Sequence, residues 1–476
     1  MIEAESTATA TAAAGRVRGQ GQALDDLAAI LPPQPKTVRD SGLERSLIVE
    51  LIAKSMHIGG KTHLPVLVGR LKLSINVLRE VLDGMVAEQM VEVAWRGESE
   101  LDVQYQLTSV GKLCALEYQA RCRYAGPAPV TLAAYREVAQ RQSCRHPQAA
   151  HLRAPELAAA LADDGLEPAV RDMIGAAMHA GRPLLLFGPS GSGKTTLARK
   201  LGRMQQGVVA VPYAILVGQQ IIAFHDPVVH QPPSPLLARQ AEERRSVDTR
   251  WALCQRPVVQ VGAELTPDML DLRYDEAGGV YHAPPHFMAN GGMLVVDDLG
   301  RQRMSSGDLL NRWTGPLDLG VDQLTMHGGH KVSVPFDATL VLATNLAPHL
   351  LLDDSFLRRI GYKVHIGPLS EASYRNLFRH QCRGMRIVFD EAVLDHLVKR
   401  LHAATGKALL ASYPRELLGR IDDFAGYTGI APRLTVAALE QAWVSMFAGG
   451  TAGAASPSQP PAQFKAVASD ILSEKI

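Results

Sequence analysis

Cysteine is sparse in this sequence, and the five present, Cys114, Cys122, Cys144, Cys254 and Cys382, form no C-x-x-C or other paired spacing. That pattern excludes a zinc ribbon or a disulfide framework as the organising device and suits a reducing compartment. No uninterrupted apolar run reaches the roughly 18 residues that suggest a membrane span, so insertion into a bilayer is not expected. The start, Met1-Ile2-Glu3-Ala4-Glu5, lacks the basic-then-apolar order of a signal peptide, and the expected location is cytoplasmic. An excess of one charge is missing too. Lys and Arg number 49 against 48 Asp and Glu, a net charge of +1, which gives no overall pull towards nucleic acid or anionic membranes. What is left is a chain of 476 residues, long enough for two or three domains and a large core.

One stretch carries a definite chemistry. Gly188-Pro189-Ser190-Gly191-Ser192-Gly193-Lys194-Thr195 fits G-x-x-x-x-G-K-[ST], follows the apolar run Leu184 to Phe187, and precedes an expected helix from Thr196 to Met204. In that strand–loop–helix setting the glycines let successive N–H groups turn inward towards phosphate, and the helix N-terminus adds partial positive charge. Lys194 is placed to neutralise terminal phosphates, with Thr195 as a ligand of Mg²⁺ and Thr196 beside it. The motif implies binding of a nucleoside triphosphate.

Other segments must decide what is done with it. Met293 to Asp298 reads as a buried strand ending in two carboxylates; Asp297 can join the shell of Mg²⁺ and Asp298 can orient and polarise water. Thr339 to Asn345 is a further apolar strand with a polar tip, whose amide at Asn345 could help fix that water. Arg358 and Arg359 precede an expected strand from Lys363 to Ile366; an arginine offered to a neighbouring subunit's nucleotide would stabilise transition-state charge. Arg415 follows Pro414 at the start of a later helix.

As an ordered set, the phosphate loop, Asp297-Asp298, Asn345, Arg358-Arg359 and Pro414-Arg415 resemble an AAA+ ATPase across residues 165 to 447. The resemblance implies a P-loop α/β core with a five-stranded parallel sheet, a C-terminal helical lid, and a homo-oligomer, a hexameric ring or spiral, with ATP and Mg²⁺ at its interfaces. It also implies sensor roles for Asn345 and Arg415. Arg359, directly before an apolar residue, fits the arginine finger better than Arg358. The family usually has Asp-Glu where this chain has Asp297-Asp298, and the shorter acid predicts slow hydrolysis. The segment Ala289 to Asp298 with Leu309 to Arg312 is similar to MoxR-like ATPases. Leu324 to Phe336 reads as a hairpin where that branch has its pre-sensor-1 hairpin. The Gly-Ala-Phe-Thr-Gly-Ala loop of sigma-54 activators is absent. These likenesses imply a chaperone that remodels a protein client.

The expected organisation is a loose tail at 1–40, a winged-helix-like domain at 41–122, a linker at 123–164, the ATPase core at 165–368, the helical lid at 369–447 and a flexible tail at 448–476. The second of these resembles a winged helix by periodicity alone: helices near Leu47 to Ile52, Leu64 to Leu71 and Ile75 to Met85, two strands around Gly97, and a helix from Ser109. Such a unit raises DNA binding as the alternative function. Asn76, Arg79, Glu80 and Asp83 on the third helix, and Glu98, Glu100 and Asp102 near the turn, leave no surplus of base for phosphate, which favours protein docking. His225, Asp226 and His230 lack helical metal spacing, so 221–233 reads as an insertion that contacts partners or a pore. Tyr281, Phe287 and Met288 either grip a client or pack the sheet edge.

Overall fold

The structure, a computed structural model, describes residues 31–98, 102–143, 145, 152–235, 247–351 and 353–447. The expected tail 448–476, residues 1–30 of the other tail, Glu100 and Cys144 lie outside the described residues. Two compact units form, one of Met1–Ala162 with Leu166–Gly367 and one of Asp163–Gly165 with Pro368–Ile476.

The first unit opens with helix α1 (Arg45–Gly59), strand β1 (Thr62–His63), α2 (Leu64–Leu71), α3 (Ile75–Ala87), β2 (Val91–Arg96), β3 (Val103–Leu107) and α4 (Ser109–Arg121). The Ser74 and Thr108 side chains accept from Val77 N–H and Gly111 N–H, capping α3 and α4. An antiparallel sheet in the order β1-β3-β2 lies beside the helices. Ile48, Leu51, Leu67, Leu78 and Leu82 fill the core between them, each fully buried.

Residues 123–143, expected as linker, contain β4 (Val130–Thr131) and α5 (Leu132–Arg141). After α6 (Ala154–Ala160) and α7 (Pro168–His179) come β5 (Leu184–Phe187) and α8 (Lys194–Arg203). Next in the chain are β6 (Val208–Pro212), β7 (Ala214–Val217), β8 (Gln220–Ala223), β9 (Trp251–Gln255), β10 (Val258–Val261), β11 (Arg273–Asp275) and β12 (Val280–His282). The unit closes with α9 (Pro285–Met288), β13 (Met293–Val296), α10 (Ser306–Leu319), β14 (Val321–Thr325), β15 (Lys331–Pro335), β16 (Thr339–Thr344), α11 (Pro348–Leu351), α12 (Asp354–Arg359) and β17 (Tyr362–His365).

The central sheet has five strands in the order β10-β13-β16-β5-β17, all parallel. Its inner strands read as unbroken apolar runs because helices cover both faces, and Leu184, Leu185, Leu294, Val296, Leu340 and Leu342 are all buried. The phosphate-loop strand β5 is flanked by β16 and β17, so the ends of β5, β13 and β16 form one row.

A second five-stranded sheet, absent from the expectations, runs β11-β12-β8-β7-β4. Its β4 comes from the segment expected as linker, and the residues expected as an insertion supply β8. Ala214 of β7 and Ile221 of β8 are buried in the same apolar cluster as α1 to α4. The seam is also polar. Arg250 and Asp248, 4% and 2% exposed, pair at 2.7 Å, and the Arg250 guanidinium donates to Ser41 O at 2.9 Å and Pro129 O at 3.0 Å. Tyr281 and Phe287 are 3% and 1% exposed and pack with Tyr135 and Phe224 in this region's core, with Met288 against it. Of the two readings for these side chains, packing is the one observed.

The hairpin β14–β15 is present, antiparallel, with its turn at 326–330. A triad around a buried carboxylate holds it to the helices on either side: His286 Nε2 lies 2.7 Å from Asp322 Oδ2, and the half-buried Arg312 reaches both oxygens of the same carboxylate. Burial pulls the Asp322 carboxyl upward, but the hydrogen bonds from His286 and Arg312 outweigh it and hold it below the usual range.

The second unit is helical: α13 (Glu371–Gly384), α14 (Glu391–His396) running into a π-helical turn over Leu397–His402, α15 (Tyr413–Thr428) and α16 (Val436–Phe447). Tyr374, Phe378, Leu394, Leu417, Leu418 and Leu439 form its core. Across the described residues no helix is long and apolar enough to cross a membrane.

Candidate nucleotide site

The site is built where β5, β13 and β16 end. Behind β5 the backbone of 188–193 curls, and glycine is required at its first position. Gly188 has φ 147°, and a Cβ there would stand 2.2 Å from Ile366 O. Helix α8 then begins at Lys194 itself, two residues earlier than the sequence suggested. Lys194 is 6% exposed. Its Nζ donates to Gly188 O at 2.9 Å, to Pro189 O at 2.8 Å and to Ser192 Oγ at 3.3 Å. Desolvation lowers its pKa below the ordinary lysine value, opposed by the carboxylates of Asp298 and Asp297. The buried ammonium is thus held by two carbonyls and a hydroxyl of the glycine-rich loop, at the N-terminal end of α8.

Thr195, one residue further on the same turn, donates its hydroxyl to Asp297 Oδ1 at 2.9 Å. The other oxygen, Asp297 Oδ2, accepts from Gln260 Nε2 at 3.1 Å, and Gln260 Oε1 in turn accepts from Arg199 Nε at 3.1 Å. Thus α8, β10 and β13 converge on one carboxylate. Asp298, the next residue, accepts from Asn345 Nδ2 at 3.1 Å. Lys194, Thr195, Asp297, Asp298 and Asn345, chosen from separate stretches of sequence, therefore meet in a single row at the strand ends.

Sequence reasoning passed over Gln260, Gln302 and Thr344. Gln302 donates to the carbonyls of Asp297 and Asp298, and Thr344 Oγ1 donates to Leu299 O at 2.8 Å. The one available signal was at Gln260, a polar residue inside the apolar run Val258 to Val261. Gln302 stands in a loop with no pattern around it.

The two arginines of α12 differ. Arg359 is clamped by Asp318, Nε to Oδ1 at 2.8 Å and Nη2 to Oδ2 at 2.8 Å, and Nη1 donates to Ser355 O at 2.9 Å. That contact lowers the Asp318 pKa and raises that of Arg359. Arg358 is exposed. With Asp318, Ser355 and Arg359 it lines an open groove of about 460 Å³. Arg415 lies in the second unit, exposed in the first turn of α15 after Pro414.

A divalent cation fits the residues present. The Thr195 hydroxyl and the Asp297 carboxylate are adjacent oxygen donors of the hard type that Mg²⁺ takes. The histidines at 225–230 offer no comparable set. His230 is 1% exposed, its Nδ1 accepts from Asp226 N–H at 3.0 Å, and its Nε2 faces Met288 O at 3.1 Å. Burial lowers its pKa to about 4. Both ring nitrogens are engaged in holding the loop together.

A family described as "Domain of unknown function (DUF8689)" matches residues 370–445, within the helical unit. No curated protein matches the chain. Among solved structures, the Thermotoga maritima RuvB Holliday junction branch migration motor is similar at 15% identity and a TM-score of 0.34, over 59% of this chain and 70% of that one. Domain III of the Thermotoga maritima replication initiation protein DnaA is similar at 13% identity and a TM-score of 0.33, over 58% of this chain and 92% of that one. NtrX from Brucella abortus, in complex with ATP, is similar at 15% identity and a TM-score of 0.30, over 66% and 74%.

Proposed function

We propose that the chain is an AAA+ ATPase that acts as a homo-oligomer, a hexameric ring or spiral, and couples ATP hydrolysis to the remodelling of a protein client in the manner of MoxR-like chaperones. The observation that carries this reading is the convergence of Thr195 on Asp297 and of Asn345 on Asp298, beside a buried Lys194 at the mouth of a glycine-rich loop. These residues lie on three neighbouring strand ends of a parallel sheet, where α/β folds place their ligands.

The roles follow from the chemistry. The N–H groups of 188–196 and the Lys194 ammonium bind the phosphates. Thr195 and Asp297 would hold Mg²⁺, which when bound neutralises charge on the phosphate oxygens. Asp298 accepts a proton from, or orients, the attacking water, and Asn345 keeps the Asp298 carboxylate aimed. Arg359 is assigned to a neighbouring subunit's transferring phosphoryl group. Its clamp to Asp318 presents it in one geometry, while Arg358 beside it is free to follow the ligand. Arg415 is assigned the lid contact. Catalysis of this kind is positioning and electrostatics rather than covalent chemistry. The hairpin β14–β15, directly before β16, supports the MoxR-like assignment.

A DNA-associated ATPase is the second reading, favoured by the winged-helix-like order of α1 to α4 with β2 and β3. Helix-turn-helix proteins read bases with the N-terminal end of the recognition helix. Here that end is engaged by the protein itself: Leu71 O accepts from Ala128 N–H, Lys72 O from Thr249 Oγ1, and Pro35 O from Ser74 Oγ. Glu80, one turn into α3, accepts from Val38 N–H. The engaged end and the lack of basic surplus support protein docking for this region.

The test is a capture from native lysate with Asp298→Asn held in ATP, with and without nuclease. A protein recovered equally in both arms is expected. Recovery that vanishes with nuclease would replace the chaperone reading with the DNA-associated one.

A further inference from the structure

The turn that carries Asp298 is left-handed. Asp298 has φ 49°, a region that a residue with a side chain occupies only when its surroundings hold it there. Asp and Asn are the side chains best tolerated in that region, because a short polar group can bond locally. The local bond here is to the neighbour's side chain: Asp298 N–H donates to Asp297 Oδ1 at 3.1 Å, while the Asp298 carboxylate itself accepts from Asn345.

Gln302 closes the turn around it. Its Nε2 donates to Asp297 O at 3.0 Å and to Asp298 O at 3.2 Å, and its Oε1 accepts from Gly300 N–H at 2.8 Å. A single amide thus satisfies the backbone on both sides of Asp298, using its donor and its acceptor together. Leu299, between them, is tied to β16 by its N–H to Ala343 O at 2.7 Å, and its carbonyl accepts from Thr344 Oγ1. The turn is pinned at both ends, and the carboxylate it presents already meets Asn345.

We infer that Gln302 is a positioning residue for hydrolysis, holding Asp298 in the left-handed conformation, and that this conformation is why aspartate stands at the position. The inference rests on the ATPase reading above. An added methylene here would carry the carboxylate past Asn345 from a backbone that disfavours the longer side chain. Restoring the family's usual Asp-Glu is therefore a loss in this chain. A carboxylate in place of the Gln302 amide would accept but not donate, and would face two carbonyls with no proton to offer.

The experiment uses the full chain with three substitutions, Gln302→Ala, Gln302→Glu and Asp298→Glu. It follows phosphate release, affinity for a fluorescent ATP analogue, and hydrogen exchange of the peptide 298–303. Gln302→Ala should lower kcat about tenfold, an ordinary effect of misplacing a catalytic group, leave analogue affinity unchanged, and speed exchange of 298–303. Gln302→Glu should be equally impaired at pH 8 and regain part of the loss, relative to the unsubstituted chain, as acid restores its donor proton. Asp298→Glu should turn over more slowly than the unsubstituted chain. Wild-type kcat in Gln302→Ala, unchanged exchange in 298–303, or faster turnover in Asp298→Glu would each overturn the positioning role. Absence of hydrolysis in the unsubstituted chain would instead remove the ATPase reading, and this role with it.

Discussion

The strand ends of the parallel sheet and the seam between the second sheet and α1 to α4 are both polar places inside one unit, yet they are built for different ends. At the strand ends, Thr195 bonds Asp297 at 2.9 Å and Asn345 bonds Asp298 at 3.1 Å, while Lys194 beside them bonds Gly188 O, Pro189 O and Ser192 Oγ of its own loop at 2.8 to 3.3 Å. At the seam, Arg250 turns its guanidinium inward, on Asp248, Ser41 O and Pro129 O, and is 4% exposed. The first arrangement leaves valence for a ligand. The second pairs its charge inside the protein, where it fixes one piece of chain against another. A buried ion pair is thus a poor sign of function by itself. What distinguishes Lys194 is that its hydrogen bonds go to two loop carbonyls and a hydroxyl, whereas Arg250 is already paired with a carboxylate.

That contrast can be broken experimentally. Arg250→Leu strands a buried carboxylate and two carbonyl acceptors, and should lower the stability of the chain by about 3–5 kcal/mol, read as a shift of the denaturant midpoint. Analogue affinity below the transition should be unchanged. Adding Asp248→Leu should return much of the loss, since a matched apolar pair removes the unpaired charge. A fall in nucleotide affinity with Arg250→Leu would mean that the seam and the strand ends are one functional system.

A smaller effect sharpens the same contrast. His230 is buried neutral, with its pKa depressed to about 4. The unfolded chain binds a proton there from its ordinary value near 6.5 downward, and the folded chain does not until about 4. Stability is therefore fully present above the unfolded value and is lost as pH falls through that window, by about 3 kcal/mol. The melting temperature should drop more steeply between pH 6.5 and 4 than it does in His230→Gln, and equal slopes would contradict the assignment.

The strand ends were legible in the sequence because their residues sit in short contiguous motifs tied to apolar strands, and a strand end fixes where its last side chain lies. Asp297, Asp298 and Asn345 needed only the parallel order of β13 and β16 to meet. The seam was not legible. Ser41, Pro129 and Asp248 with Arg250 are far apart in sequence, and no period or spacing joins them. Two-residue β4 is too short to carry a strand pattern, so its segment read as linker. Gln302 was missed for a related reason: it acts through backbone atoms, which leave no mark in the residue pattern. Tyr281, Phe287 and Met288 were read two ways because an aromatic cluster looks alike in sequence whether it packs or grips.

On the proposed reading these strand ends hydrolyse ATP with Asp298 as the water-directing acid. Phosphate release from Mg²⁺·ATP by the unsubstituted chain, beside Lys194→Ala and Asp298→Asn, tests it most directly. Slow turnover is expected in the unsubstituted chain, with loss of nucleotide binding in Lys194→Ala, and retained binding in Asp298→Asn with turnover reduced about a hundredfold or more. Turnover in Asp298→Asn equal to that of the unsubstituted chain would contradict it.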